Sequence, residues 1–115
     1  MSNIEKIKAV RIMCDFEGDG VWSAPIPNST LEGFRVSDAL WQRIQRWQRW
    51  HDSQDGRLCP DPNFDLKGFV AEGYVVARLV KAELPDWIVL YSDEALHEQR
   101  IETGDDSIQY LVEIT

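Results

Sequence analysis

Two consecutive stretches of helical periodicity, set between apolar strand-like segments, constrain this chain more than any other feature. From about Phe64 to Leu84 the residues Phe69, Gly73, Val76, Ala77, Val80 and Leu84 recur at helical spacing, and Pro85 cannot continue the helix. Upstream, Ser37 is placed to cap a helix running to about Asp52, with Asp38 in the first turn, where a carboxylate suits the helix dipole. Before this pair, IKAVRIMCDF (7–16) is apolar and β-branched and reads as a strand central to a sheet. After it, DWIVLYS (86–92) reads as a short buried strand, and SIQYLVEIT (107–115) alternates Ile108, Tyr110, Val112 and Ile114 on one face. A fourth strand is expected around His97 to Thr103, before a Gly-Asp turn, whereas APIPNST and SQDGRLCPDPN read as loops. The order β-α-α-β-(β)-β predicts an α+β fold: a single sheet of three or four strands, covered on one face by two helices. Its 115 residues, 1–115, form one domain on this reading.

The first helix carries ALWQRIQRWQRW, residues 39 to 50. On a helical wheel Ile44, Trp47 and His51 fall within about 40° of Leu40, and this stripe is the expected core face. Gln42, Gln45, Arg46 and Arg49 lie opposite, towards solvent. Trp41 and Trp50 fall on the two shoulders, too far apart to share one patch. Packing accounts for these tryptophans first. A shoulder Trp beside an Arg is also the kind of residue that anchors an interface.

The net charge of −8 restricts partners. Nucleic-acid domains draw affinity from neutralising phosphates, so binding to nucleic acid or to an anionic membrane surface is disfavoured. No apolar run approaches the ~20 residues of a membrane span, and the N-terminal segment lacks the pattern of a secretory signal, which predicts a cytoplasmic protein. A basic protein is the natural complement, since opposite fields speed encounter. Two acidic groups stand out. One is CDFEGDG, with Asp15, Glu17 and Asp19 at alternate positions; the other is the segment 93–106, with Asp93, Glu94, Glu98, Glu102, Asp105 and Asp106 against a single Arg100. The second is expected to be an acidic hairpin guarding a sheet edge. The first imitates the start of a calcium loop, but Ile26 stands where the bidentate Glu belongs, so it is read as an acidic turn.

Cys14, His51, Cys59 and His97 are the soft metal ligands, and no pair has zinc spacing. No metal or cofactor is therefore expected, and no nucleophile elbow, phosphate loop or dinucleotide fingerprint appears. A pocket between helix and sheet near Cys14, His51 and Tyr91 is the alternative site, for a small enzyme or ligand-binding domain. A homo-oligomer using the Trp helix as interface is a further alternative.

VRIMCDFEGDGVW, a capped helix and DWIVLYSDEA together resemble small uncharacterised bacterial proteins. In these the first strand ends in Met-Cys-Asp plus an aromatic, and a late strand reads Trp-x-Val-x-Tyr. The small, acidic, Trp-containing chain is also similar in general character to toxin-immunity proteins. The expectation is a non-enzymatic acidic binding protein, in its most concrete form an immunity or inhibitor protein for a basic bacterial toxin. Asp15, Glu17, Asp19, Glu98, Glu102, Asp105 and Asp106 would meet the partner, with Trp41 or Trp50 as anchor.

Overall fold

The computed structural model describes residues 5–55 and 61–115. Elements follow the order β1 (Ile7–Ile12), β2 (Val21–Ser23), β3 (Ser29–Thr30), α1 (Asp38–Asp52), α2 (Leu66–Glu83), β4 (Ile88–Ser92), α3 (Glu94–Thr103) and β5 (Leu111–Ile114). The expected α+β architecture is present, as one mixed sheet of five strands with the order β2-β1-β4-β5 among the described residues. β1 is central. Its first residues pair in parallel with β3 and its last three antiparallel with β2. On its other side it runs parallel to β4, with Val10 opposite Val89 and Ile12 opposite Tyr91, and β4 pairs antiparallel with β5.

The helix pair makes the crossover between the two parallel strands. Ser37 caps α1 through its hydroxyl, which accepts the Leu40 N–H at 3.2 Å, and Asp65 caps α2 through Gly68 N at 3.0 Å. Each cap satisfies a backbone N–H that the first helical turn leaves without a partner. Leu40, Ile44 and Trp47 from α1 join Phe69, Val76, Ala77 and Val80 from α2 in one core with Val10, Ile12, Val89, Tyr91 and Ile114 of the sheet. These strand residues occupy alternate positions, so both helices cover the same sheet face.

Trp47 fills the centre of this seam. It stacks on Phe69 with ring centroids 5.1 Å apart, and its indole N–H donates to the Phe69 carbonyl at 3.1 Å. Gly73 gives Tyr91 room on α2, since a Cβ there would overlap the tyrosine ring and hydroxyl. Among the described residues no helix is long and apolar enough to cross a membrane.

Several expectations need correction. The sheet has five strands rather than three or four: β2 and β3 are too short to show alternation, and β3 lies within the APIPNST stretch read as a loop. The segment around His97 to Thr103 is not a fourth strand but the body of α3, and the acidic hairpin is a helix followed by a turn. Asp93 caps this helix by accepting Leu96 N, and Gly104 ends it with φ 68°. Between the caps, EALHEQRIE is rich in good helix formers. In addition, the first strand stops at Ile12, well short of residue 16, and the loop after it leads into β2 and β3. Cys59, and with it much of the turn-rich stretch after α1, lies outside the described residues.

Candidate functional site

β1 and β4 are parallel, so their carboxyl ends open on the same edge of the sheet. In α/β sheets this edge is where ligands commonly bind. From β1 the chain continues into Met13, Cys14 and the Asp15–Gly20 turn; from β4 it continues into Asp93 and the start of α3. The C-terminal end of α1 reaches the same place. Between them opens a cleft of about 330 Å³. His51 and Gln54 contribute one wall, Glu94 and Glu98 of α3 another, and Asp61, Pro62, Phe64 and Leu66 the approach to α2.

The sequence places these groups by ordinary means. His51 is the last member of the α1 core stripe and is only 5% exposed, clasped between the rings of Phe16 (4.7 Å) and Phe69 (5.9 Å). Its Nδ1 lies 2.9 Å from Asp52 Oδ1. An ionised carboxylate only accepts, so Nδ1 carries the proton. The same Asp52 oxygen accepts from Gln48 Nε2 at 2.9 Å, and that amide also donates to the Asp15 carbonyl at 2.7 Å. Gln48 therefore ties the end of α1 to the turn after β1. Its Oε1 is buried with no partner among the described residues.

Glu94 and Glu98 stand one turn apart on α3 and face the cleft together. Burial, reinforced by Glu98, Asp15 and Asp93 and opposed by His51, pushes the Glu94 carboxyl up to about 7. Burial and Glu102 push Glu98 up as well. No hydrogen-bond donor and no Lys or Arg meets Glu94 among the described residues. The third carboxylate, Asp61, accepts the N–H groups of Asn63 and Asp55 and so shapes its own turn. Among the described residues the cleft is lined by three carboxylates and one imidazole, with Gln54, Pro62, Phe64 and Leu66 beside them, and no Lys or Arg lines it. Among the described residues no Lys or Arg pairs with Glu94 or Glu98, so their charge is offset there only by the nearby imidazoles.

Deeper in the same edge, Cys14 and Tyr91 are 5% and 0% exposed. Burial, with Glu94 and Asp52 adding to it, drives the Cys14 thiol far above its ordinary range. It stays neutral at pH 7 and is a poor nucleophile. No hydrogen bond joins it to His51 among the described residues. The Tyr91 hydroxyl is buried beside Gly73 and has no partner among the described residues. Its neighbour Tyr74 does have one, donating to Asp93 Oδ2 at 2.7 Å.

The structure gathers some of the residues expected to meet a partner and disperses others. Asp15, Glu98 and Glu102 share one acidic surface around Glu94, and exposed Glu17 sits at the apex of the Asp15 turn with φ 65°. Asp15 and Asp19 also close that turn, accepting from Phe16 N and Val21 N. Asp105 and Asp106 lie past the far end of α3, on the order of 15 Å along the helix axis from Glu94. There Asp105 accepts from Ser107, and Asp106 approaches Arg100 at 3.7 Å. Trp50 is half-buried against Phe64 and Phe69, just behind the cleft wall. Trp41 is remote, at the other end of α1, beside Phe34 and Val36. Asp61 and Phe64 were not among the expected site residues, whereas Glu94 belongs to the acidic 93–106 segment expected to face a partner. Glu94 was within reach of sequence reasoning, since an Asp-Glu pair just after an apolar strand marks a helix start at a strand's carboxyl end. Comparison with protein-family models, with curated proteins and with solved structures finds no match to this chain.

Proposed function

We propose that this protein binds a basic protein partner, and that the carboxyl edge of the β1–β4 pair is the docking face. The observation that carries this reading is Glu94, a half-buried carboxyl in an acid-lined cleft with no cationic partner among the described residues. A lysine or arginine side chain of the partner enters the cleft and pairs with Glu94 and Glu98. Around it, Asp15, Glu17 and Glu102 steer the approach. Phe64, with Trp50 behind it, supplies the apolar wall against which the aliphatic stem of such a side chain packs. The concrete form of this reading is immunity to, or inhibition of, a basic bacterial toxin whose cationic surface the acidic edge covers. The neutral, buried Cys14 gives no support to the alternative of a thiolate enzyme at this edge.

The test is affinity capture from a native lysate at low salt, with the unmodified protein beside Glu94→Gln/Glu98→Gln. A basic protein retained by the first, released by moderate salt and lost by the second is the expected result. A short arginine-containing peptide serves as a direct probe, and its binding should weaken as pH falls below about 7, where Glu94 takes up its proton. Capture that is indifferent to the double substitution would sink the proposal.

A further inference from the structure

The outward face of α2 has an order that its own fold does not need. With Val75 placed at 0° on a helical wheel, Ala82, Gly68, Ala71 and Leu79 all fall within about 40°. Of these, Ala71, Val75, Leu79 and Ala82 are exposed, Val75 and Leu79 at 37% each. At about 60° and 80° on one side lie Arg78 and Lys67, and at the same angles on the other side lie Glu72 and Glu83. An apolar strip thus runs along the helix between a basic edge and an acidic edge. The charges repeat after eleven residues, Lys67 to Arg78 and Glu72 to Glu83, the spacing that keeps one face in line along a nearly straight helix. Each cation also precedes its acid by five residues, 67 to 72 and 78 to 83. Within one helix that offset turns the side chains away from each other, so these are not intrahelical ion pairs.

The arrangement of the edges selects the partner and its direction. If two copies of this face pack antiparallel, symmetry puts like edges together, Lys67 and Arg78 of one copy against those of the other. If they pack in parallel about a two-fold axis, the basic edge of each copy meets the acidic edge of its neighbour. An offset of five residues is how flanking positions meet across two parallel helices in register. Glu72 accepts both N–H groups of Arg43 at 2.8–2.9 Å, and Glu83 accepts Ser37 N and Oγ. The acidic edge is therefore held in place by α1. We infer that α2 is the contact of a parallel homodimer, Val75 against Val75, bounded by ion pairs from Lys67 to Glu72 and from Arg78 to Glu83 of the second copy. This contact uses α2 and not the Trp helix, and it leaves the acidic cleft open.

Sedimentation velocity over a wide concentration range tests it, with Val75→Asp and Lys67→Glu/Arg78→Glu as variants. Both alter exposed positions and leave the contacts of α1 untouched. The unmodified chain should dimerise, Val75→Asp should be a monomer, and the charge variant should weaken association roughly tenfold or more at low salt. Direction is read from cysteines placed by Ala71→Cys or Leu79→Cys with Cys59→Ser, the remaining Cys14 being buried. In the parallel dimer each cross-links to its own kind. A chain that is monomeric at every concentration, a dimer indifferent to Val75→Asp, or cross-linking only between the 71 and 79 variants would each overturn the inference.

Discussion

The seam around Trp47 and the cleft around Glu94 are built from neighbouring parts of the same elements, yet they treat polar atoms in opposite ways. In the seam the one buried indole N–H has its carbonyl at 3.1 Å, and stacked rings fill the space around it. At the cleft edge a carboxyl, an amide oxygen and a phenol hydroxyl are wholly or partly buried without a partner among the described residues. An unpaired buried polar group costs roughly 1–3 kcal/mol, so a fold that retains several at one edge gives up stability there. Unpaired polar groups at this edge thus set it apart from the seam among the described residues.

The comparison breaks first if the seam does not carry the stability. Trp47→Ala should lose roughly 3–5 kcal/mol in urea unfolding, the range for a large aromatic removed from a closed core. A loss below about 2 kcal/mol would mean that the seam is looser than its geometry. Next comes Gly73→Ala. In an ordinary helix interior this change stabilises by roughly 1 kcal/mol. Here the new methyl meets the Tyr91 ring, and overpacking should turn the sign into a loss of about 1–3 kcal/mol. A gain would show that Tyr91 moves aside easily.

The seam was largely legible and the cleft was not. The wheel places Leu40, Ile44, Trp47 and His51 on one stripe, and all four are buried, because helical periodicity records burial directly. Gln48 defeats the same reasoning. It lies at about 80° from Leu40, where a polar residue is expected to reach solvent, and is only 3% exposed because a loop 33 positions away covers it. α3 has no buried residue and so no apolar period; its caps, Asp93 and Gly104, and the helix formers between them are what announce it. β2 has three residues and β3 two, too few for any alternation to show. The cleft joins His51, Asp61 and Glu94 from three separate segments, and local patterns carry no record of such a meeting.

Glu94→Gln sharpens the comparison from the other side. Its carboxyl rises from 4.5 to about 7 on folding, so between these values the folded chain holds a proton that the unfolded chain has released. Stability from this group falls as pH rises through that window and is flat above it. Removing the charge should therefore stabilise the protein at pH 8 by about 1–2 kcal/mol, after allowance for screening by solvent. It should leave stability at pH 4, below both values, nearly unchanged. Thermal unfolding at the two pH values decides the matter, and equal effects at both would assign the gain to packing.

The smallest effect belongs to Tyr91, whose ring lies in the seam and whose hydroxyl is buried beside Gly73. A satisfied buried hydroxyl contributes about 1 kcal/mol, and removing it leaves its partner stranded. The Tyr91 hydroxyl has no partner to strand among the described residues. Tyr91→Phe should thus lie within about 0.5 kcal/mol of zero, on either side. A loss above roughly 1.5 kcal/mol would mean that the hydroxyl is hydrogen-bonded in solution, with an ordered water the natural partner. The edge would then be better completed than its geometry indicates. A neutral result, set beside the large loss expected for Trp47→Ala, would divide Tyr91 itself between the two regions: the ring serves the core, and the hydroxyl is retained without benefit to stability.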